Sequence, residues 1–426
     1  MSTYYRLPPE LLDGLAASTG GPAASLALAE VQLSKHVQLI NQLLGAWPGS
    51  AAERDRIVAA LDAARAAAPE AAGRVLGRPM VGAWAAIAGR AAFQGRADSV
   101  DLAHLGAIAA VTCAAAGVDA ELEAPVRDGA VALPGTARVE TGADGPDGTA
   151  RVTVSGGAVA VDAGRGAVTA DSAGWQPVRA LRAEAGGRRA ELALDDVDPY
   201  RHGYHAPPAP RLSEADFEQW QERFTGAWQL LAEHLPDRAA EIAAGLRVLV
   251  PLHDDGRSSR SATIRHVFGV FGLTRPATAA DFAVTLVHEY QHSKLSALLD
   301  TVQLSDPDDE GRYFAPWRTD PRPLAGLIQG VYAFAGVADT WRALRGAGLD
   351  AAEQEFANAR LQVDRSLISV EESGGLTAEG ERFIAHLRRF TDELLAEPVP
   401  AAVAARAEER QQELRRRWLA ANGVAA

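Results

Sequence analysis

One cysteine, Cys113, stands in a chain of 426 residues. A lone thiol excludes an internal disulfide framework, a thiolate zinc knuckle and a cysteine-ligated iron–sulfur cluster. In AAVTCAAAG it reads as a small buried residue. Lysine is nearly as scarce: Lys35 and Lys294 are the only two, and arginine supplies the remaining cations. With the heavy alanine and glycine usage, that excess of arginine reads as codon bias. Basic charge is short overall, 42 Lys and Arg against 55 Asp and Glu, for a formal charge of -13. The balance argues against nucleic acid or an anionic membrane as partner. No apolar stretch reaches about 18 residues without a charge, so no span of a membrane is expected. MSTYYRLPPELLDGLA has no basic region followed by an apolar run, so a secretory signal is not expected and a cytoplasmic location is.

What the chain does have is apolar mass. A hydrophobic content of 47% over this length suffices for a sizeable core and suggests two or three domains. Residues 1–118 show helical spacing, as in LAEVQLSKHVQLINQLLGAW and AERDRIVAALDAARAAA, with Pro48-Gly49-Ser50 as the break between them. His36 and His104 fall within such helices and read as structural or surface residues. Residues 119–196 change character. ARVTVSGGAVAVDAG and RRAELALDD alternate apolar and polar positions, which predicts a small β-rich module of four to six strands. It contains no histidine and is an improbable source of metal ligands. Residues 197–426 open with Pro207-Pro208-Ala209-Pro210 as a rigid connector into a helix capped by Ser213. LRVLVPL follows as a buried strand, and LAGLIQGVYAFAGVADTW as a nearly all-apolar helix. The tail from Ala401 reads as a solvated charged helix. There is no internal repeat. The expected fold class is α+β, mainly helical, with a β-rich middle and a zincin-like helix in the C-terminal part.

That helix carries the chemistry. In LVHEYQHSKLSALLD, His288 and His292 stand four apart and share a face, so both can offer a nitrogen to one ion. Glu289 lies between them. Under a zinc-peptidase reading it would activate a metal-bound water against a peptide carbonyl. A third protein ligand is wanted, and the sequence leaves it open. Leu298 occupies the position where the extended zinc-protease pattern has a further histidine. Gln329, in an otherwise apolar helix, is the candidate chosen, against the alternative that it satisfies a backbone group. Asp300, Glu310 and Asp339 are the nearby acids. Two clusters frame the motif: Arg257 to Thr263 upstream, and Tyr313, Trp317, Arg318, Asp320 and Arg322 downstream in a proline-rich loop from Pro316 to Pro323. Arginine with a nearby hydroxyl is what a carboxylate site needs, which makes Arg318, Arg322 and Ser261 candidates for holding a co-substrate's carboxylate.

The run SATIRHVFGVFGL, LVHEYQHSKLSALLD, YFAPWRTDPRPLAGLIQGVYAFAGVA resembles the HExxH-motif proteins encoded beside ribosomally made, modified peptides. YYRLPPELLDGLAA and DPYRHGYHAPPAPRLS are similar to the same family. The resemblance implies an iron(II)- and 2-oxoglutarate-dependent hydroxylase acting on a β-carbon of a precursor peptide, a natural-product tailoring dioxygenase. It implies His288 and His292 as the metal pair, with Glu289 as the family's glutamate. It also implies that some relatives carry a histidine where this chain has Gln329 or Phe334, and that some members are inactivated. The residues leave two other classes open: a zinc metallopeptidase, and a catalytically inactive peptide-binding relative. Imidazole suits both iron and zinc, so ligand type does not choose the metal.

Overall fold

The structure, a computed structural model, describes residues 8–18, 20–47, 50–96, 99–142, 148–203 and 206–423. The break expected at Pro48-Gly49 lies outside the described residues, as do Tyr4 and Tyr5 of the opening and Tyr204 and His205 of the junction. The described residues form a mainly helical α+β fold, 56% helix and 16% strand.

The chain begins with α1 (Pro9–Ala16), α2 (Gly21–Gly45), α3 (Ala51–Ala67), α4 (Pro69–Leu76), α5 (Pro79–Phe93) and α6 (Ser99–Ala116). Proline opens α1, α4 and α5 in the first turn, where its missing N–H costs no intrahelical bond. His36 and His104 are both buried. His36 Nδ1 lies 3.0 Å from the Leu76 carbonyl oxygen, and His104 packs between Trp84 and Tyr200. Burial drives them down to about 4 and about 3, so both sit neutral in the interior. Cys113 is buried as expected.

Eight strands follow where four to six were expected: β1 (Ala120–Val126), β2 (Ala130–Leu133), β3 (Ala137–Glu140), β4 (Gly148–Ser155), β5 (Ala158–Asp162), β6 (Trp175–Pro177), β7 (Arg179–Ala185) and β8 (Arg188–Leu194). The surplus comes from the glycine- and proline-punctuated stretch. Gly135, at φ +61°, turns β2 back on β3, so the punctuation marks a hairpin and not a loop. β1, β4 and β5 make one antiparallel sheet, and β2, β3 and β6 another. Helix α6 lies directly on β1, because at Gly106 a Cβ would stand 1.9 Å from the Glu123 carbonyl oxygen.

The remaining elements are α7 (Glu214–His234), α8 (Pro236–Gly245), β9 (Val248–Pro251), β10 (Ser261–Thr263), β11 (Val270–Leu273), α9 (Ala279–Leu298), α10 (Leu324–Leu344), α11 (Ala352–Glu371), α12 (Ala378–Ala396) and α13 (Ala401–Asn422). β7 and β8 leave the β-rich stretch to join a five-stranded sheet in the order β10-β11-β9-β8-β7, with β9 parallel to both its neighbours. This sheet spans the division expected at residues 196 and 197, because Ala193 and Leu194 pair with Val248 and Leu249. Ser213 caps α7 as expected, accepting the Asp216 N–H at 3.1 Å. The charged tail helix α13 is exposed along most of its length.

One apolar core gathers α7 to α12, with α1 and the start of α2, around α9 and the five-stranded sheet. A second joins α3 to α6 with the β-rich stretch. Inside the first lies a charged network. Lys294 on α9 is fully buried, with Nζ 2.6 Å from Glu241 Oε1 on α8 and above the rings of Tyr290 and Tyr332. Arg238 joins Asp339 of α10 at 3.0 Å and Glu241 at 3.4 Å. The other lysine, Lys35, pairs with Asp300 just past the end of α9 at 2.8 Å. Both lysines therefore brace the motif helix. Among the described residues no helix is long and apolar enough to cross a membrane.

Candidate functional site

Helix α9 starts with a reciprocal cap: Thr278 Oγ1 accepts the Asp281 N–H at 3.0 Å and donates to the Asp281 carboxylate at 2.7 Å. Phe282, Leu286, Tyr290 and Leu295 seat the helix in the core. His288 and His292 are half-buried. Their rings stand 4.8 Å apart, edge to face at 85°, and both line one cleft of about 670 Å³. The spacing of four thus does what a helix requires of it, bringing both imidazoles to a common space. Burial, then the neighbouring His292, lower His288 to about 4, so its ring is neutral at pH 7 and a nitrogen lone pair is available.

Glu289 is only 3% exposed. Its carboxylate accepts the Ser261 hydroxyl at 2.7 Å on Oε1 and the Thr263 hydroxyl at 2.6 Å on Oε2. Ser261 and Thr263 are alternate residues of β10 and so point the same way. Glu289 Oε1 is 3.9 Å from His288 Nε2. Ser261 was expected to meet a co-substrate's carboxylate. It lines the cleft, but its single hydroxyl proton goes to Glu289.

Gln329 is also brought to the site, from α10. Its Oε1 lies 3.2 Å from Nδ1 of His292, and its amide donates to Ser296 at 3.3 Å. This contact places a proton on Nδ1 and leaves Nε2 of His292 for an ion, the usual way in which a ligating imidazole is oriented. The Gln329 oxygen, the expected third ligand atom, here meets the His292 ring.

Arg318 and Arg322 both line the cleft, as expected of them, and share Asp320 at 2.7 and 3.4 Å. Their guanidinium groups hold the Asp320 carboxyl below its ordinary value. The loop that carries them is a built wall. Tyr313 and Arg322 exchange backbone hydrogen bonds at 2.8 and 2.9 Å, closing it at the base. Trp317 stacks on Phe334 with centroids 4.5 Å apart, and Phe334 meets the His288 ring edge-on at 5.2 Å.

The glycines of LAGLIQG explain why that wall can lie flat. Gly326 and Gly330 are four apart on α10, under the Arg322 guanidinium and the Trp317 indole respectively. A Cβ at Gly330 would stand 2.2 Å from Trp317 Cζ2. Gly330→Ala is therefore expected to push the indole off the helix, costing about 1–3 kcal/mol in chemical unfolding and shifting Trp317 emission. Unchanged stability together with unchanged emission would contradict this packing.

Sequence reasoning did not single out Arg265. It is exposed, lines the cleft just past β10, and has no ion pair or hydrogen bond among the described residues. Its signal was available: a cation two residues beyond the alternating pair Ser261 and Thr263.

Among the described residues no three His, Cys, Asp or Glu side chains converge as a ligand set. The donors present are two imidazoles facing open space, which suit iron(II) or zinc, with the other positions left to water or a chelating acid. No protein-family model matches the chain, and no curated protein matches it either.

Proposed function

We propose that the cleft is the active site of a cytoplasmic peptide-tailoring enzyme, an iron(II)- and 2-oxoglutarate-dependent hydroxylase of a β-carbon in a ribosomally made precursor peptide. The observation that carries the reading is that two imidazoles, spaced one helical turn apart, line the same cleft as the edge strand β10. Ser261, Ala262 and Thr263 all line that cleft, and β10 pairs with β11 alone among the described strands. An edge strand offers its free backbone groups to an extended chain, which favours a peptide over a compact metabolite. The resemblance of the central motifs to peptide-associated HExxH proteins points the same way.

Iron with 2-oxoglutarate, when bound, would supply the oxidation of an unactivated carbon. The chain's own groups do the rest. His288 and His292 hold the ion, and Gln329 fixes the His292 ring. Arg318 and Arg322 offer guanidinium donors to a carboxylate. Trp317 and Phe334 wall the cleft with apolar surface.

The zinc-peptidase alternative asks Glu289 to take a proton from a water. Both carboxylate oxygens of Glu289 already accept hydroxyl protons at 2.6 and 2.7 Å, which suits a group that locks β10 to α9 better than a mobile base.

Anaerobic reconstitution with iron, followed by mass analysis of a candidate ribosomally made precursor peptide, tests the choice. A product heavier by one oxygen, formed only with 2-oxoglutarate and dioxygen, is expected. Hydrolysed peptide bonds without 2-oxoglutarate would transfer the assignment to a peptidase, and an unaltered peptide would leave only binding.

A further inference from the structure

Resting on the reading of the cleft as a peptide site, we infer that its substrate carries acidic residues beside the segment laid along β10, held by Arg265. The protein has a formal charge of -13, yet the rim where β10 ends is basic. Arg265 lies two residues past the end of β10 and lines the cleft. Lys35 of α2 reaches the same turn, donating to the His266 carbonyl oxygen at 3.3 Å. The charges of Lys35, Arg90 and Arg265 all act on the His266 ring, which lies below its ordinary value through burial first and these cations next.

Lys35 has a partner in Asp300, at 2.8 Å. Arg265 is exposed and has no ion pair among the described residues. This contrasts with the opposite wall of the cleft, where Arg318 and Arg322 are held by Asp320. An unpaired guanidinium group just past the end of an edge strand, on a molecule whose general field repels anions, selects locally for carboxylates. A peptide extended along β10 advances about 3.3 Å per residue, so its next few side chains pass this rim. The negative charge of the whole molecule disfavours nucleic acid as occupant.

The test uses the full-length protein and fluorescence anisotropy with labelled peptides of about a dozen residues, long enough to span β10 and the rim. One probe carries glutamates at its N-terminal end, one carries them at its C-terminal end, and a third has glutamine at all those positions. One of the two glutamate probes is expected to bind about tenfold tighter than the glutamine probe at low salt, the advantage shrinking as salt is raised. The variant Arg265→Glu is expected to lose that advantage while binding the glutamine probe as before and keeping its circular dichroism spectrum. Equal affinity for all three probes would overturn the inference while leaving the peptide reading intact. So would a preference that survives Arg265→Glu, or competition by a single-stranded oligonucleotide as effective as the peptide. Failure of all three probes to bind would remove the peptide reading and this inference with it.

Discussion

Lys294→Met is expected to cost about 3–5 kcal/mol of stability, because it leaves Glu241 as a buried carboxylate without its nearest cation. Lys294 is fully buried on the motif helix, and its ammonium is held between Glu241 and the faces of Tyr290 and Tyr332. Burial pushes that ammonium down to about 8, with the Glu241 carboxylate opposing the shift. Lys294→Arg is expected to be destabilising as well. A planar guanidinium is larger than an ammonium and has no space between two tyrosine rings in a close-packed core. The double variant Lys294→Met, Glu241→Leu removes one charge of each sign, leaves Arg238 with Asp339, and is expected to recover most of the loss. Urea unfolding of the three variants checks this. A double variant no more stable than Lys294→Met alone would show that the pair does not act as a unit.

Replacing His288 or His292 with alanine is expected to abolish turnover and weaken metal binding by more than about 100-fold. Loss of an outer-shell partner already costs about 10–100-fold, and these are the only two imidazole donors among the described residues that line the cleft. Gln329→Ala is expected to fall within that outer-shell range, since its amide oxygen meets His292 Nδ1 and would act on a bound ion through that ring. Isothermal titration with cobalt(II) measures all three. A Gln329→Ala loss as large as that of His292→Ala would make Gln329 a ligand.

Much of this was legible in the sequence, and the reasons differ by element. The i, i+4 pair on α9 was readable because helical periodicity is local and Thr278 and Asp281 mark the start of the helix. β9 was readable as four consecutive apolar residues, and all four are buried. Long-range pairing was not readable. Nothing in RRAELAL states that it will lie parallel to VLVP more than fifty residues later, so the five-stranded sheet crosses a boundary that composition alone suggested. The same holds within the site. Ser261 and Thr263 form a visible alternating pair, but their closure on Glu289 depends on β10 docking against α9, which no local pattern encodes. Lys294 and Glu241 are likewise both visible in the sequence, while their pairing in the core is not.

The claim on which the account rests is that one turn of α9 places two imidazoles on a single ion in this cleft. Pulsed electron paramagnetic resonance of the protein loaded with one equivalent of vanadyl tests it most directly, by counting the imidazole nitrogens coupled to the metal. Two are expected in the wild type, and one in each of His288→Ala and His292→Ala. A spectrum without imidazole coupling, or one unchanged by either substitution, would contradict it.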